Sequence, residues 1–541
     1  MTNSRRNFPR KCESENSITH CGRRDLLRLG AFAAGLGFSD VLLVNPASAA
    51  ADVIEMRTQT LTCAAVPVGK LEHGIGFNWF DVGVYGRTST DVDGYPTYPE
   101  LADRAGWAAV TEALDDLRPG MIRYWLAPDP CVTDKPGQLR TDTLGLEMLQ
   151  RVGDWAGRNA CTVLLDFGHV PKKYQFEMSP KEREQKATNQ WVDMAAKDND
   201  EYAEALVVPL LKHVLMERSL RAVQLFNAYN EPLQYGPFTT PDNHPDAFIH
   251  YVNMYRAIQG ALKKARLYPQ QIRLAGVEAI HPGNFPVLDF IARGVDIDPY
   301  IDVYTIHYYF HRFDWMSPVP FLQDSLEESL DRQTPKLVQY CRRRGKPLLA
   351  AEVGWYPNDG DPMPSDPLAQ SRHHAALTTA ETLVRGMNAG LSGFGIWSLF
   401  NPGTFDGAWR VVWVHDGKLC KAEHLYPMYR CFSRYARPGS EVFPLKPAER
   451  EWPWQYVHGT AVVTPQGKGI IYLVNDHLVE SRKVRIDLPK DWAGRNLRKL
   501  VKDNVRLGKE EGIIEPQANG TSSTVEDLLT PSSLTAYVES A

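Results

Sequence analysis

Eight short apolar runs recur along the middle of the chain, and a segment with helical spacing follows each of them. Most of the runs are continuously apolar, which is typical of parallel strands that are buried on both faces. Such strands alternating with helices indicate parallel βα units. The eight runs are Ile75–Phe80, Met121–Leu126, Thr162–Phe167, Ala222–Ala228, Ile272–Val277, Ile301–Tyr309, Pro347–Val353 and Gly393–Leu399.

The helical spacing is clearest after the first run, where apolar residues recur three and four apart from Trp107 to Leu117, ahead of a Pro119-Gly120 stop. Eight strands, each followed by a helix, predict a (β/α)₈ or TIM barrel, with an open doubly wound sheet as the alternative fold. Further helices are predicted to begin near Leu144, Tyr202, Asp246, Phe285, Leu326, Leu368 and His424.

The pattern changes after Arg437-Pro438-Gly439 to short alternating strands, such as Gly469–Val474 and Arg482–Leu488, with Asn519-Gly520 as a hairpin signal. These features predict a small β-sandwich after the barrel. A strand-like stretch ahead of the barrel is expected to pair with the sandwich. The predicted divisions are a leader at 1–49, this strand at 50–66, the barrel at 67–437 and the sandwich at 438–541.

The leader contains an arginine pair, Arg23-Arg24, followed by a modestly apolar stretch from Ala31 to Val44 and by Ala47-Ser48-Ala49, a small-residue cleavage pattern. It resembles a bacterial twin-arginine export signal, although Gly22 and Leu26 depart from that pattern. The resemblance implies a periplasmic or secreted protein. A short membrane anchor is the alternative, but the apolar stretch is shorter than the roughly 20 residues that span a bilayer, so no stable membrane insertion is expected.

The overall charge limits the partners of the chain. Sixty Lys and Arg face 65 Asp and Glu, which leaves no positive excess for a phosphate backbone, so nucleic acid is not an expected partner. Neither a C-x-x-C pair nor an H-E-x-x-H motif is present, and a Walker P-loop and a G-x-S-x-G elbow are also missing. We therefore expect no metal and no nucleotide cofactor.

Two glutamates follow apolar runs directly. Glu231 stands in Asn230-Glu231-Pro232 after the fourth run, and Glu352 stands next to last in the seventh. Active sites of (β/α)₈ barrels lie at the carboxyl ends of the strands, so the two side chains should face one another across the mouth of the barrel. Glycoside hydrolysis needs such a pair, one acid to protonate the leaving oxygen and one carboxylate at the anomeric centre. A retaining enzyme would hold the two groups about 5–5.5 Å apart.

Arg123, within the second run, is a candidate for the cation that keeps one carboxylate ionised while the other stays protonated. A buried arginine in a barrel is normally paired with a carboxylate, so the structural and catalytic interpretations of Arg123 coincide.

Taken together, these motifs resemble those of clan A retaining glycoside hydrolases, and most closely those of family 5, the cellulase-type members. The resemblance covers the barrel, about two-thirds of the chain. It includes Arg123, Asn230-Glu231-Pro232, His307-Tyr308-Tyr309, Ala351-Glu352-Val353-Gly354 and Trp397.

The resemblance implies a role for each matching residue. Glu231 would be the acid/base and Glu352 the nucleophile. Asn230 would bind the sugar 2-hydroxyl, Tyr309 would hold the nucleophile and Arg123 would keep it ionised. The remaining implied residues are His307, which would support the acid/base, and Trp397, which would form the floor under the sugar.

Other residues carry weaker expectations. His169 follows the third strand, where family 5 members place a histidine, and it is a candidate sugar contact. Glu278 is expected as a wall of the site or as a solvated loop residue. Aromatic side chains near strand ends could stack on sugars or pack in the core: Trp79, Trp125, Tyr174, Tyr235, Trp315, Trp355 and Trp409.

The predicted function is cleavage of β-linked oligo- or polysaccharides by an exported retaining glycosidase. An exo-acting xylosidase, arabinofuranosidase or glucosidase like families 39, 30 or 51 is the main alternative, because those enzymes also join a barrel to a β-sandwich. A transglycosylase and a non-catalytic carbohydrate-binding protein are the further alternatives. The two glutamates and Arg123 argue against the last of these.

Overall fold

A closed barrel of eight parallel strands and a curled sheet of eleven strands organise the chain in the computed structural model. The residues that the structure describes are 58–80, 104–175, 196–231, 245–280, 295–311, 326–356, 369–400, 410–415, 418–448, 456–477, 480–503, 507–514, 517–519 and 522–539. The predicted leader, the predicted helix near Phe285, and Tyr235, Trp315 and Trp409 lie outside these residues.

The barrel strands follow one another in chain order, and the last pairs with the first. They are β3 (Gly74–Phe80), β4 (Met121–Leu126), β5 (Thr162–Phe167), β6 (Val223–Asn227), β7 (Arg273–Ile280), β8 (Val303–His311), β9 (Leu348–Tyr356) and β10 (Gly393–Phe400). Closure confirms the predicted (β/α)₈ fold over the open doubly wound sheet.

Helices connect the barrel strands on the outside. They are α1 (Arg104–Leu117), α2 (Leu144–Arg158), α3, made of four abutting pieces (Asn199–Tyr202, Ala203–Val207, Val208–Lys212 and His213–Glu217), α4 (Pro245–Lys264), α5, made of a π-helical turn (Glu327–Gln333) and Thr334–Arg343, α6 (Ala369–Ala389) and α7 (Leu425–Tyr435). Short 3₁₀ turns occur at Asp129–Cys131, Lys172–Tyr174, Asp298–Tyr300 and Lys490–Trp492. No helix in the described ranges is long and apolar enough to cross a membrane.

Side-chain alternation along β4 shows how the barrel is packed. Ile122, Tyr124 and Leu126 point outward into the large core beneath the helices. Met121 points inward and joins an apolar layer that also contains Leu164, Leu225, Ala275, Val303 and Leu349. Because successive residues of a strand face opposite sides, Arg123 also points inward, above this layer. The base of the barrel is therefore apolar, and the polar residues lie towards its carboxyl end.

The second sheet contains strands from both sides of the barrel sequence. They are β1 (Gln59–Cys63), β2 (Gly69–Leu71), β13 (Ser440–Pro447), β14 (Val457–Val463), β15 (Gly469–Asn475), β16 (Arg482–Pro489), β17 (Leu497–Lys502), β18 (Leu507–Ile514), β19 (Gln517–Asn519), β20 (Ser522–Leu529) and β21 (Ser533–Glu539). β1 lies between β13 and β16, antiparallel to the first and parallel to the second. A hairpin, β11 (Val412–His415) with β12 (Lys418–Lys421), is separate from both sheets.

β15 is buried on both faces and links the two parts of the molecule. Ile470 and Tyr472 face the barrel core, whereas Ile471 and Leu473 face a separate apolar cluster. That cluster draws on strands from β21 round to β20, so the single sheet curls to enclose its own core. The sequence predicted this as a sandwich, and the small β domain beside the barrel is confirmed. The exact domain boundaries stay predictions.

Candidate active site

A bulge in β9 turns Glu352 into the barrel. Leu349 faces the interior, so strict alternation would point Glu352 outward. The pairing with β8 instead shifts register at this point, because Ile306 pairs with Ala350 while His307 pairs with Glu352. Ala351 is the extra residue, and it reverses the alternation for the rest of the strand. Glu352 is consequently inside and only 3% exposed.

A second bulge does the same for Glu278 on β7. Gly276 pairs with Tyr304 and Ala279 with Ile306, so Val277 and Glu278 together oppose a single residue. Val277 packs in the outer core, and Glu278 takes the inward position with a φ of +56°. Glu278 is fully buried, so of the two expectations the solvated loop residue is wrong. The physical reason is the bulge, which lies within β7 and turns Glu278 into the barrel.

Glu231 lies just beyond the end of β6 with a φ of +47°, and only 5% of it is exposed. Its Oε1 is 2.6 Å from Nδ1 of His307, which lies on β8. Burial raises the pKa of Glu231, and the nearby charge of Glu352 raises it further, against the lowering effect of the His307 hydrogen bond. This carboxyl group is therefore biased towards its protonated form.

Arg123 is the centre of the site and is fully buried. Nε donates to Asp166 at 2.9 Å, and Nη2 donates to Asn230 at 2.8 Å and to Glu278 at 2.9 Å. Nη1 donates to Asn78 at 3.1 Å and forms an ion pair with Glu352. A single guanidinium thus fixes five residues, each from a different strand or strand end.

Glu352 receives hydrogen bonds on both oxygens. Arg123 Nη1 donates to Oε1, and the Tyr309 hydroxyl donates to Oε2 at 2.5 Å. Charge-assisted bonds of this kind are strong and hold the orientation of a carboxylate. The two glutamates therefore have opposite environments, since Glu231 is buried beside a histidine and Glu352 is bonded to a permanent cation.

The two glutamates are close enough to act on one bond. Single donor atoms of Glu231, His307 and Glu352 all lie within 4.8 Å of one another. One oxygen of each glutamate can therefore approach the same glycosidic bond, and the 5–5.5 Å separation of the two carboxyl groups stays a prediction.

Aromatic residues surround the carboxylates. Trp125 and Trp397 meet edge to face with 5.4 Å between ring centroids, and Tyr309 packs against them. The Arg123 guanidinium lies 4.6 Å from the Trp125 ring centroid, and Trp125 Nε1 donates to Asn78 at 3.0 Å. Trp125 is 8% exposed, as is Trp397, so each presents only a small surface.

His169 lies apart from this network. It is about one-third exposed, and its Nε2 is hydrogen-bonded to Asp129, which also accepts from the backbone N–H of Lys172 at 3.2 Å. None of the contacts given for His169 reaches the glutamates. On the third strand, the residue that joins the site is Asp166, three positions earlier, because it faces inward and binds Arg123.

Three buried residues of the site were not assigned to its centre by the sequence: Asn78 and Asp166, which were not singled out, and Glu278, which was expected as a wall of the site or as a solvated loop residue. Asn78 accepts from Arg123 and donates to the carbonyls of Ala351 and Gly395 at 3.0 Å each. A polar residue inside an otherwise apolar strand is the signal that all three share. Such residues need an internal partner when buried, and Arg123 provides it.

Among the residues that the structure describes, two groups of side chains have donor atoms close enough for a metal ion: Glu231 with His307 and Glu352, and Glu381 with His458 and Asp476. Each group already contains a cation. In the first, Arg123 binds Glu352; in the second, Arg385 donates to Glu381 at 2.7 Å and to His458 Nε2 at 2.9 Å. An ion would have to replace these hydrogen bonds.

Comparison with solved structures shows the same fold in glycoside hydrolases. A family 30 (GH30) endoxylanase from Clostridium papyrosolvens is 14% identical, with a TM-score of 0.54, and covers 90% of this chain and 100% of its own. The catalytic domain of the GH30 xylanase C from Talaromyces cellulolyticus is 12% identical, with a TM-score of 0.57 and coverages of 89% and 100%. A GH39 enzyme from Xanthomonas axonopodis pv. citri is 14% identical, with a TM-score of 0.54 and coverages of 90% and 98%.

No family model matches the chain, and no curated protein matches its sequence. At these identities the likeness establishes the fold, including the β domain beside the barrel. The neighbours belong to families 30 and 39 of clan A. They share the clan, but not the family, that the motifs resemble.

Proposed function

We propose that this protein is a retaining glycoside hydrolase that cleaves β-linked sugars by double displacement. The observation that carries this proposal is the pair Glu231 and Glu352, whose oxygens lie within 4.8 Å in opposite electrostatic settings. One carboxyl group is biased towards its acid form and the other is bound to Arg123, which is the division of roles that glycoside hydrolysis requires.

In the first step, a Glu352 oxygen attacks the anomeric carbon while Glu231 gives its proton to the glycosidic oxygen. The bond between that carbon and the leaving oxygen breaks, and a glycosyl ester forms on Glu352. Arg123 and Tyr309 hold the Glu352 carboxylate in place for this attack. The preorganised bonds orient the nucleophile before the substrate arrives.

In the second step, Glu231 acts as a base. It takes a proton from water, the water oxygen attacks the anomeric carbon, and the ester bond to Glu352 breaks. Two displacements at one carbon restore its configuration, so the first product is the β-anomer. Both glutamates return to their starting protonation states.

The remaining site residues bind the sugar in this proposal. Asn230 accepts from Arg123 through its Oδ1, which leaves its Nδ2 group to donate to the sugar 2-hydroxyl. Trp397 provides an aromatic floor, and His169 is a contact at the rim of the site, away from the reacting bond. His307 supports Glu231 through Nδ1.

The substrate class is an oligo- or polysaccharide. The combination of barrel and β domain supports kinship with families 30 and 39 more directly than with family 5, since that architecture is shared over about nine-tenths of this chain. Two of the matched proteins are named as xylanases, so β-xylosides are the first substrates to test, with β-glucosides second. The Arg23-Arg24 leader supports export to the periplasm or beyond.

Replacing each glutamate separates their roles. Glu352→Ala should reduce hydrolysis of every aryl β-glycoside by roughly 10⁴-fold or more, because no nucleophile remains. Glu231→Ala should affect substrates with poor leaving groups most, and an activated aryl glycoside should form the glycosyl-enzyme and then stall. Added azide should restore turnover in Glu231→Ala as a β-glycosyl azide, and in Glu352→Ala as the α-azide.

Rates and the anomer of the azide product, measured by NMR, provide the readout. Glu147→Ala, which replaces an exposed glutamate on α2, is the matched control and should keep wild-type rates. Exchanged anomers would exchange the roles of the two glutamates. Undiminished hydrolysis in both variants would place the active site elsewhere.

A further inference from the structure

His307 lies between two carboxylates, although the proposed reaction uses only one of them. Its Nδ1 is 2.6 Å from Glu231 Oε1, and its Nε2 makes a hydrogen bond to Glu278 Oε2. His307 and Glu278 are both fully buried. Glu278 has no exposed surface, so it can influence the reaction only through its neighbours.

Hydrogen-bond accounting fixes the proton on Nε2. An ionised carboxylate can only accept, so Nε2 must carry the hydrogen when it faces an ionised Glu278. Burial opposes ionisation of Glu278, but Arg123 and His307 outweigh that effect and lower its pKa. Arg123 Nη2 donates to the same Oε2 at 2.9 Å. The Nδ1 atom is then the one presented to Glu231.

The contact between Nδ1 and Glu231 holds one proton between two groups. If Glu231 is a carboxylic acid, it donates to a neutral Nδ1; if Glu231 is a carboxylate, Nδ1–H donates to it. Both arrangements contain the same number of protons. The acid of the proposed reaction is thus the His307–Glu231 pair rather than Glu231 alone.

We propose that Glu278 is a positioning residue for the acid/base: by fixing the tautomer and ring orientation of His307, it keeps the transferable proton on the His307–Glu231 pair. This inference rests on the proposed function. The proton leaves the pair for the glycosidic oxygen as the nucleophile bonds to the anomeric carbon, and it returns to the pair from water as the ester bond breaks. A carboxylate that orients a histidine from behind is a recurring way to set its tautomer.

Other charged groups near the His307–Glu231 pair affect how readily the pair loses its shared proton. Glu352 Oε2 lies 3.5 Å from His307 Nδ1, and Arg123 stands one hydrogen bond away through Glu278. Burial favours the neutral imidazole, but the charges of Glu352 and Glu278 outweigh it and raise the pKa of His307 to about 10. The negative charges thus favour retention of the shared proton.

Glu278→Gln tests the proposal because it keeps the size of the side chain and removes its charge. Without that charge, the deprotonated form of the His307–Glu231 pair becomes easier to reach, so its pKa falls. The basic limb of the kcat/KM pH profile should therefore move to lower pH, by about 1–2 pH units. Aryl glycosides with poor leaving groups should lose more activity than those with good ones.

Asp166→Asn is the matched control. Asp166 is an equally buried carboxylate on Arg123, but its contacts reach Arg123 and Asn227 rather than His307. Asp166→Asn should move the basic limb of the kcat/KM pH profile by less than half as much as Glu278→Gln. Glu278→Asp keeps the charge and should leave the limb within about 0.5 unit of wild type, even if kcat falls.

A readout that needs no activity is NMR of the protein labelled with ¹³C-histidine, with the His307 signal assigned by its loss in His307→Gln. Wild type should show the Nε2–H tautomer or the doubly protonated ring up to high pH, and Glu278→Gln should lose that proton earlier. An unchanged His307 titration, or equal limb shifts in Glu278→Gln and Asp166→Asn, would overturn the proposal. Absence of glycosidase activity in wild type would overturn the proposed function instead, while the NMR result would still stand.

Discussion

One buried arginine determines what each carboxylate in this site can do. Arg123 binds Glu352 directly and reaches Glu231 through Glu278 and His307. A buried charge is tolerated only when its hydrogen-bonding groups are satisfied, and Arg123 achieves this with residues from several strands. The same contacts that stabilise the guanidinium also fix the nucleophile and the proton donor.

Residue positions at strand ends could be read from the sequence, but bulges could not. Glu231 and Glu352 were found because each follows an apolar run, and the structure brings them together with Arg123, Tyr309 and His307. The buried, inward position of Glu278 was not predicted because it depends on an extra residue in β7, and a bulge leaves no mark in the hydrophobic pattern. His169 was expected near the sugar on resemblance alone.

At the scale of elements, strand starts and helix starts were predictable to within a few residues. β4 and β5 have the predicted bounds, and α2 begins at the predicted Leu144. β9 runs three residues beyond the predicted Val353 because its pairing with β8 continues to Tyr356. Gly354 has no apolar side chain and interrupts the apolar run, so the hydrophobic pattern does not show that the strand continues.

β1 offers a test of the curled sheet. Leu61 is fully buried in the core of that sheet and lies opposite Pro447 of β13 and Ile486 of β16. Leu61→Ala should reduce the free energy of unfolding by about 2–5 kcal/mol, through lost burial and the cavity left behind. Urea unfolding followed by tryptophan fluorescence measures this change.

The control substitution for Leu61→Ala is Val66→Ala, which truncates an apolar side chain that is 72% exposed. Surface changes of this kind normally alter stability by less than about 0.5 kcal/mol. Equal effects of the two substitutions would show that β1 contributes no core to the sheet.

At the scale of the whole molecule, the barrel and the curled sheet share one packed interface. Arg385 on α6 donates to His458 of β14 at 2.9 Å and to Glu381 at 2.7 Å, and Asn388 donates to the Gly459 carbonyl at 2.8 Å. The barrel was predictable because apolar strands and helical segments alternate regularly along the sequence. The polar interface was not, because it joins residues more than 70 positions apart whose partners no local pattern reveals.

The export proposal concerns the full-length chain. Replacing the arginine pair, Arg23→Lys with Arg24→Lys, should leave the precursor in the cytoplasm, because twin-arginine recognition requires the guanidinium pair. Cell fractionation with immunoblotting measures this. Arg28→Lys, a change outside the pair, is the matched control and should be exported. Normal export of the double variant would contradict the proposal.

Trapping the covalent intermediate shows which residue is the nucleophile. In a 2-deoxy-2-fluoro-β-glycoside, the fluorine slows both displacement steps. An activated leaving group still lets the first step proceed, so the glycosyl ester accumulates. Digestion and mass spectrometry then locate the sugar, with Glu352→Ala as the unlabelled control. The account predicts one sugar per protein, attached to Glu352. A sugar attached to Glu231 or another residue, or inactivation without a covalent sugar, would contradict it.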